Sequence, residues 1–235
     1  MSTLSHHELV APAESADGAR VNRLPAGSPL APSYPSGIYP KLVKPTIDRL
    51  VALVVLICVA PVLLVSIIAV RLSLGPGVFF RQERVGRDGR RFTVIKLRTM
   101  AACRRRKDAR YGGPERRVRH KHPDDPRLTH VGRFLRKWSV DELPQLVNIL
   151  KGDMSLVGPR PELPFIVDRY TEVQHCRHYV KPGLTGLWQV SERGHGEMHE
   201  FVHVDLDYVR RISPLLDLQL ILRTPLCMLG ANKGF

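Results

Sequence analysis

Residues Leu50 to Val70 read LVALVVLICVAPVLLVSIIAV, a run without a single charge. About 20 such residues cross the hydrocarbon core of a bilayer, and a helix apolar on every face is uncommon in a soluble domain, so the segment is expected to reside in the membrane. Pro61 stands at its centre. A proline there removes one helical hydrogen bond and crowds the preceding turn, which predicts a break. At 1.5 Å per residue each half is about 15 Å long, roughly half of a ~30 Å core, as a helix–break–helix dipping into one leaflet requires. The flanks agree, because Lys41, Lys44 and Arg49 precede the run and Arg71, Arg81, Arg84 and Arg87 follow it. Positive charge marks the cytoplasmic side, so basic flanks at both ends predict a re-entrant hairpin rather than a spanning helix.

Around this segment the chain is of moderate size. Its 235 residues, 43% of them hydrophobic, can bury one core with appendages. Lys and Arg number 36 against 22 acidic residues, a net charge of +14, which points to an anionic partner such as nucleic acid, a phospholipid surface or a phosphorylated substrate. Cys58, Cys103, Cys176 and Cys227 are too scattered for a zinc knuckle or redox dithiol and read as reduced thiols. Residues 1–43 begin with a stretch rich in Pro, Ala, Ser and Gly that lacks the pattern of a secretory signal, and they read as a disordered leader.

Beyond the apolar run, Gly75-Pro-Gly77 marks a turn, and Val78–Gln82 with Arg91–Lys96 reads as a β-hairpin around Gly86 and Gly89. Residues 103–121 are strongly basic without apolar periodicity, suited to a surface loop or frayed helix near anionic headgroups. Helical spacing returns over 131–151, interrupted near Ser139 to Pro144. After a Gly/Pro-punctuated loop at 152–164, helices are expected over Ile166–Val180 and Met198–Ile212, separated by the turn-rich segment that starts at Lys181. Leu215–Leu229, apolar but interrupted by Asp217, Gln219, Arg223 and Pro225, reads as an interfacial amphipathic helix. The expected class is α+β, with a re-entrant membrane segment over 44–72 and a mainly helical cytosolic catalytic domain over 73–235.

Chemistry concentrates in Arg133-Phe-Leu-Arg-Lys-Trp-Ser-Val-Asp-Glu-Leu-Pro-Gln-Leu146. Ser139 and Glu142 have capping-box spacing, and Asp141 could itself be an N-cap that leaves Pro144 in the first turn of a helix. A helix start is therefore one reading. A helix N-terminus also stabilises a carboxylate and receives phosphate oxygens, so Asp141 could serve as a nucleophile toward phosphorus with the Arg136 guanidinium on the phosphate. Asp141 and Glu142 together could hold Mg²⁺, which often takes one or two carboxylates plus substrate phosphates. Arg160, fixed between Pro159 and Pro161, suits a phosphate contact or a plain surface turn.

Several segments in order resemble the bacterial sugar transferases, the monotopic polyprenyl-phosphate phosphoglycosyl transferases. They are Phe79-Phe-Arg-Gln-Glu-Arg-Val-Gly, Lys96-Leu-Arg-Thr-Met, Asp125-Pro-Arg-Leu-Thr, Ser139-Val-Asp-Glu-Leu-Pro-Gln-Leu, Leu150-Lys-Gly-Asp-Met-Ser-Leu-Val-Gly-Pro-Arg-Pro and Lys181-Pro-Gly-Leu-Thr-Gly-Leu-Trp-Gln-Val. The resemblance covers roughly residues 44–226 and is to the small form of the family, without the four-helix membrane portion of its large members. It implies that a UDP-sugar and polyprenyl (undecaprenyl) phosphate give polyprenyl-diphosphate-sugar and UMP with Mg²⁺ at the cytoplasmic face of the inner membrane, initiating exopolysaccharide or glycoconjugate synthesis. It places the catalytic dyad on Asp141, which would carry the covalent phosphosugar, and Glu142, its metal or proton helper. Arg136 and Arg160 match the family's phosphate-binding arginines, Lys96 its motif lysine and Pro61 its helix-breaking proline. The Gly-Leu-Trp-Gln-Val form resembles members that transfer glucose or galactose phosphate. Leu97 replaces the usual Phe, Trp138 and Val140 are unusual ahead of the dyad, and Ser191-Glu-Arg-Gly replaces a Ser-Gly-Arg run; none of these removes a catalytic group.

Two other classes have sequence support. His199-Glu-Phe-Val-His203 matches the HExxH pattern of zinc metalloproteases, although no third ligand context follows beyond Asp205 and Asp207. A membrane-anchored nucleic-acid binder would use the 103–121 arginines, but that segment offers only Tyr111 for stacking, and the expected partners do not include nucleic acid.

Overall fold

A computed structural model describes residues 32–101, 127–191 and 201–229. The basic 103–121 segment, most of the expected leader, and His199 and Glu200 lie outside the described residues.

The apolar run lies within helix α1 (Lys44–Leu74), which continues from a π-helical turn at Tyr39–Val43. Pro61 lies inside this helix, so the two half-helices expected from the sequence are instead one continuous helix of 31 residues, about 46 Å long. A proline removes only one backbone hydrogen bond, whereas leaving the helical conformation among apolar side chains would orphan several. The helix stops at Gly75, whose φ of 74° favours a residue without a Cβ and whose N–H donates to Arg71 O at 3.0 Å.

One stripe of α1 is buried. Lys44, Asp48, Ala52, Ser66 and Val70 are enclosed, and Val55, Leu56, Val59, Leu63 and Ile67 fill the turns between them at helical spacing. The remaining faces expose Leu50, Val54, Ile57, Leu64, Val65 and Ile68. Only 11% of the most apolar window is buried, and the helix is long and apolar enough to reside in a membrane.

The expected hairpin is present. β1 (Phe79–Val85) pairs antiparallel with β2 (Arg91–Leu97), Phe80 opposite Lys96 and Val85 opposite Arg91. Next come α2 (His130–Lys137), a 3₁₀ turn at Val140–Glu142 and α3 (Gln145–Lys151), the interrupted helix expected over 131–151. Val94, Leu146, Ile149 and Met154 form a core against the first half of α1, and Leu97 and Leu135 join Val70 in another against its second half. Asn148 of α3 fastens β2 directly, accepting from Ile95 N at 3.2 Å and donating to Thr93 O at 2.8 Å.

The rest differs from expectation in two places. The loop at 152–164 and the turn segment after Lys181 contain a small parallel sheet, with β3 (Ser155–Val157) pairing β4 (Gly183–Thr185). Strands of three residues among glycines and prolines carry no readable alternation. The helix expected over Ile166–Val180 is divided into α4 (Pro164–Val167), α5 (Glu172–His175) and a 3₁₀ turn at Cys176–Tyr179. Thr171 restarts the chain there with a capping box to Gln174.

After α6 (Leu187–Ser191), α7 (Val202–Arg211) buries Leu206, Tyr208 and Val209. In α8 (Pro214–Leu229) the polar Asp217 is buried while Leu215, Leu218, Ile221, Leu222 and Leu226 face outward, an orientation suited to an interfacial helix. Asp217 ties α8 to the start of α1, accepting from Tyr39 Oη and Lys44 Nζ at 2.6 Å each, with the Tyr208 hydroxyl at 2.8 Å.

Candidate active site

The acidic pair sits on the 3₁₀ turn between α2 and α3. Ser139 turns the chain there in the left-handed region, with φ 52° and ψ 22°, strained for a residue with a Cβ. The expected capping box does not form, since Ser139 makes no side-chain cap bond. Asp141 lies inside the turn rather than capping it, and Pro144 is the N-cap of α3 rather than a member of its first turn. With Ser139 in the left-handed region, the chain goes straight from α2 into the 3₁₀ turn, and the carboxylates are left for other partners.

Glu142 has two. Lys96 Nζ donates to its Oε1 at 2.7 Å, and Arg160 Nη2 reaches the same oxygen at 2.8 Å. These cations hold the Glu142 carboxyl well below the usual carboxylate range, against a burial penalty that acts the other way. Asp141 has no hydrogen bond or ion pair among the described residues, and its pKa is raised to about 6, first by burial and then by the adjacent Glu142 charge. Lys96, Arg136 and Arg160 oppose that rise. The two neighbours thus divide into an anchored anion and an open carboxylate within a ring of positive charge. Arg136 donates through Nε to Thr99 Oγ1 at 2.9 Å, which orients it beside the dyad.

Arg160 is placed by glycines whose role a single sequence does not display. A Cβ on Gly183 would lie 2.1 Å from Gly158 N, one on Gly158 would lie 2.3 Å from Lys181 O, and one on Gly186 would lie 2.2 Å from Gly158 O. Only glycine permits this backbone-on-backbone contact, which sets the Gly158-Pro-Arg-Pro loop on β4. A half-buried arginine and a fully buried one hold the loop from other sides. Arg84 Nη1 donates to Pro161 O at 3.1 Å and pairs with Glu162 at 3.6 Å, while Arg177 Nη2 donates to Arg160 O at 2.8 Å and to Asp205 at 2.5 Å. Sequence reasoning missed Arg84, Glu162, Arg177 and Asp205. Arg84 stands in the Phe79-Phe-Arg-Gln-Glu-Arg-Val-Gly segment and Glu162 directly follows Pro-Arg-Pro, the only local signal for the first two.

Of the expected site residues, Lys96, Asp141, Glu142, Arg136 and Arg160 come together, and Pro61 lies apart on the exposed surface of α1. Exposed Phe79, Phe80, Phe134 and Trp138 flank the elements that carry the dyad and Lys96. His203 lies at the start of α7, and among the described residues no group of three or more His, Cys, Asp or Glu could hold a metal. For magnesium the donor set fits an ion that arrives with a diphosphate: Glu142 is taken by two cations, and the Asp141 carboxylate remains open beside it.

Comparison with known proteins identifies the family. Residues 39–231 match the sequence profile of the bacterial sugar transferase family. The chain is 42% identical over 183 residues to the uncharacterized sugar transferase EpsL of Bacillus subtilis, covering 78% of this chain and 85% of that protein. It is 38% identical over 213 residues to the UDP-glucose:undecaprenyl-phosphate glucose-1-phosphate transferase of Caulobacter vibrioides, covering 86% and 76%. It is also 37% identical over 201 residues to the undecaprenyl-phosphate galactose phosphotransferase of Salmonella typhimurium, covering 83% of this chain but 42% of that longer relative. These matches do not favour the metalloprotease or nucleic-acid readings. The chain belongs to the bacterial sugar transferase family and is a phosphoglycosyl transferase.

Proposed function

We propose that this enzyme transfers a sugar-1-phosphate from a UDP-sugar to polyprenyl phosphate by way of a covalent intermediate on Asp141, and so initiates exopolysaccharide or glycoconjugate synthesis. The observation that carries the proposal is the open Asp141 carboxylate beside a Glu142 already neutralised by Lys96 and Arg160.

An Asp141 oxygen attacks the sugar-bearing phosphorus, and the bond to the bridging oxygen breaks with its electron pair leaving on UMP. A phosphate oxygen of the lipid acceptor then attacks the same phosphorus, the Asp141–phosphorus bond breaks, and polyprenyl-diphosphate-sugar departs. Lys96, Arg136 and Arg160 neutralise the phosphoryl oxygens as charge builds on them, and such positioned charge supplies most of the catalysis in phosphoryl transfer. Held ionised by those cations, Glu142 positions Lys96 and Arg160. A magnesium bound by Asp141 and the donor diphosphate would add charge neutralisation at the leaving UMP.

The setting suits a lipid acceptor. The domain grips α1 near both ends, with Ser155 Oγ donating to Asp48 at 2.6 Å near the start and Arg98 donating to the Leu74 carbonyl at the finish. Both ends then lie on the domain's side of the bilayer, which supports attachment of α1 to one leaflet, at the cytoplasmic face of the inner membrane, rather than a crossing. The outward Phe134 and Trp138 beside the dyad would meet the same leaflet.

The test is UMP release by purified enzyme from UDP-glucose and UDP-galactose, with polyprenyl phosphate and Mg²⁺. Wild type should turn over only with acceptor, release at most one UMP per enzyme without it, and lose both activities as Asp141→Asn. Equal UMP release from the mutant would end the nucleophile assignment.

A further inference from the structure

A cavity of about 280 Å³ opens beside the first turns of α1, and none of Lys96, Arg136, Asp141, Glu142 or Arg160 lines it. Its wall carries five cations, Lys41, Lys44, Arg49, Arg87 and Lys181, and one carboxylate, Asp48. That carboxylate is engaged, accepting from Ser155 Oγ at 2.6 Å and lying 3.7 Å from Lys44. Lys44 also pairs with Asp217, and Arg87 lies 3.4 Å from Asp88. Among the described residues, Arg49 and Lys181 have no carboxylate within ion-pair distance, yet they converge: a Cβ on Gly152 would be 2.8 Å from Arg49 Nη2 and 3.5 Å from Lys181 Nζ. Burial, then repulsion from Arg49 and Arg87, draws the Lys181 amine below its usual range.

Arg49 is exposed and Lys181 half-buried, so solvent screens part of their repulsion, and an anion between them would relieve the rest. A guanidinium fork beside a point-like ammonium is a phosphate-binding combination. The cavity also lies at a particular depth. Leu42 and Ile212 line it, and exposed apolar side chains occur at Ile38 and Leu42 in the approach to α1 and at Leu215 in α8. This is where an apolar surface gives way to charge, as at a headgroup layer.

We propose that Arg49 and Lys181 bind the phosphate of an anionic phospholipid headgroup in this cavity, at a site separate from the dyad. The inference rests on the reading that α1 and α8 lie in a bilayer and is independent of the reaction.

The experiment follows thermal unfolding of the detergent-purified full chain with dihexanoyl phosphatidylglycerol, dihexanoyl phosphatidylcholine or inorganic phosphate. Phosphatidylglycerol near saturation should raise the apparent Tm by about 5 °C, well beyond either comparison compound. The double variant Arg49→Gln/Lys181→Gln should lose that shift and, freed of the repulsion, unfold without ligand at or above the wild-type temperature. Equal shifts from the two lipids in wild type would overturn the site whether or not the variant folds, as would an undiminished shift in the variant. A shift from inorganic phosphate as large as that from phosphatidylglycerol would overturn the headgroup assignment in favour of a soluble phosphate. No UDP-sugar is present, so failure here is distinct from failure of the transfer reaction.

Discussion

Asp205→Ala should destabilise the enzyme through a residue that touches no substrate. The Asp205 and Arg177 side chains are 2% and 1% exposed and lie 2.5 Å apart. Deleting one partner of such a pair leaves a buried charge and costs about 3–5 kcal/mol. Arg177 keeps the Tyr170 hydroxyl at 2.9 Å and Arg160 O at 2.8 Å, which favours the lower end of that range. For a chain of this size each kcal/mol moves Tm by about 2–4 °C, so a fall of roughly 6–12 °C is expected. The assay is tryptophan fluorescence of the detergent-solubilised protein at a fixed heating rate. The double variant Arg177→Met/Asp205→Leu removes both charges and should recover most of the loss. It also removes the donor that holds the Arg160 carbonyl, so its kcat/KM should stay about tenfold below wild type. A fall under 2 °C for Asp205→Ala, or a double variant no more stable than the single one, would refute the argument.

Four further outcomes follow from the structure. With the Asp141 pKa raised from 3.8 to about 6, the ionised nucleophile accumulates as pH rises through 6, so kcat/KM should climb there, and Lys96→Gln, by removing an opposing cation, should move that limb upward in a pH-rate profile. The linked stability runs the other way: the folded pKa exceeds the unfolded one, so this contribution is fully present below 3.8 and is lost as pH rises through 6, which denaturant titrations of wild type and Asp141→Asn would compare. Gly183→Ala forces a methyl against Gly158 N and should cost about 1–3 kcal/mol, with UMP release falling further than stability explains because Arg160 is displaced. Asn148→Ala leaves Ile95 N and Thr93 O without their side-chain partner, and a loss of about 1–3 kcal/mol in thermal unfolding is expected.

The sequence by itself determined the membrane segment, the hairpin, the interrupted helix around the dyad and the outward apolar face of the last helix. Each is written in local signals: an uncharged run, glycines between β-prone stretches, apolar spacing around a proline. The ordered motifs also brought the dyad, Lys96, Arg136 and Arg160 into view. Only the tertiary structure decided that Pro61 sits in a continuous helix, because the cost of orphaned backbone groups is set by the whole segment's surroundings rather than by one residue. It alone joined Ser155–Val157 to Gly183–Thr185 and showed why Gly158, Gly183 and Gly186 cannot carry a side chain. It also divided two adjacent carboxylates into an anchored Glu142 and an open Asp141, since the cations that distinguish them, Lys96 and Arg160, lie 46 and 18 residues away from Glu142 in sequence. Pairings over such separations leave no periodicity in the chain, and the electrostatics of a site exist only once its charges have been brought together.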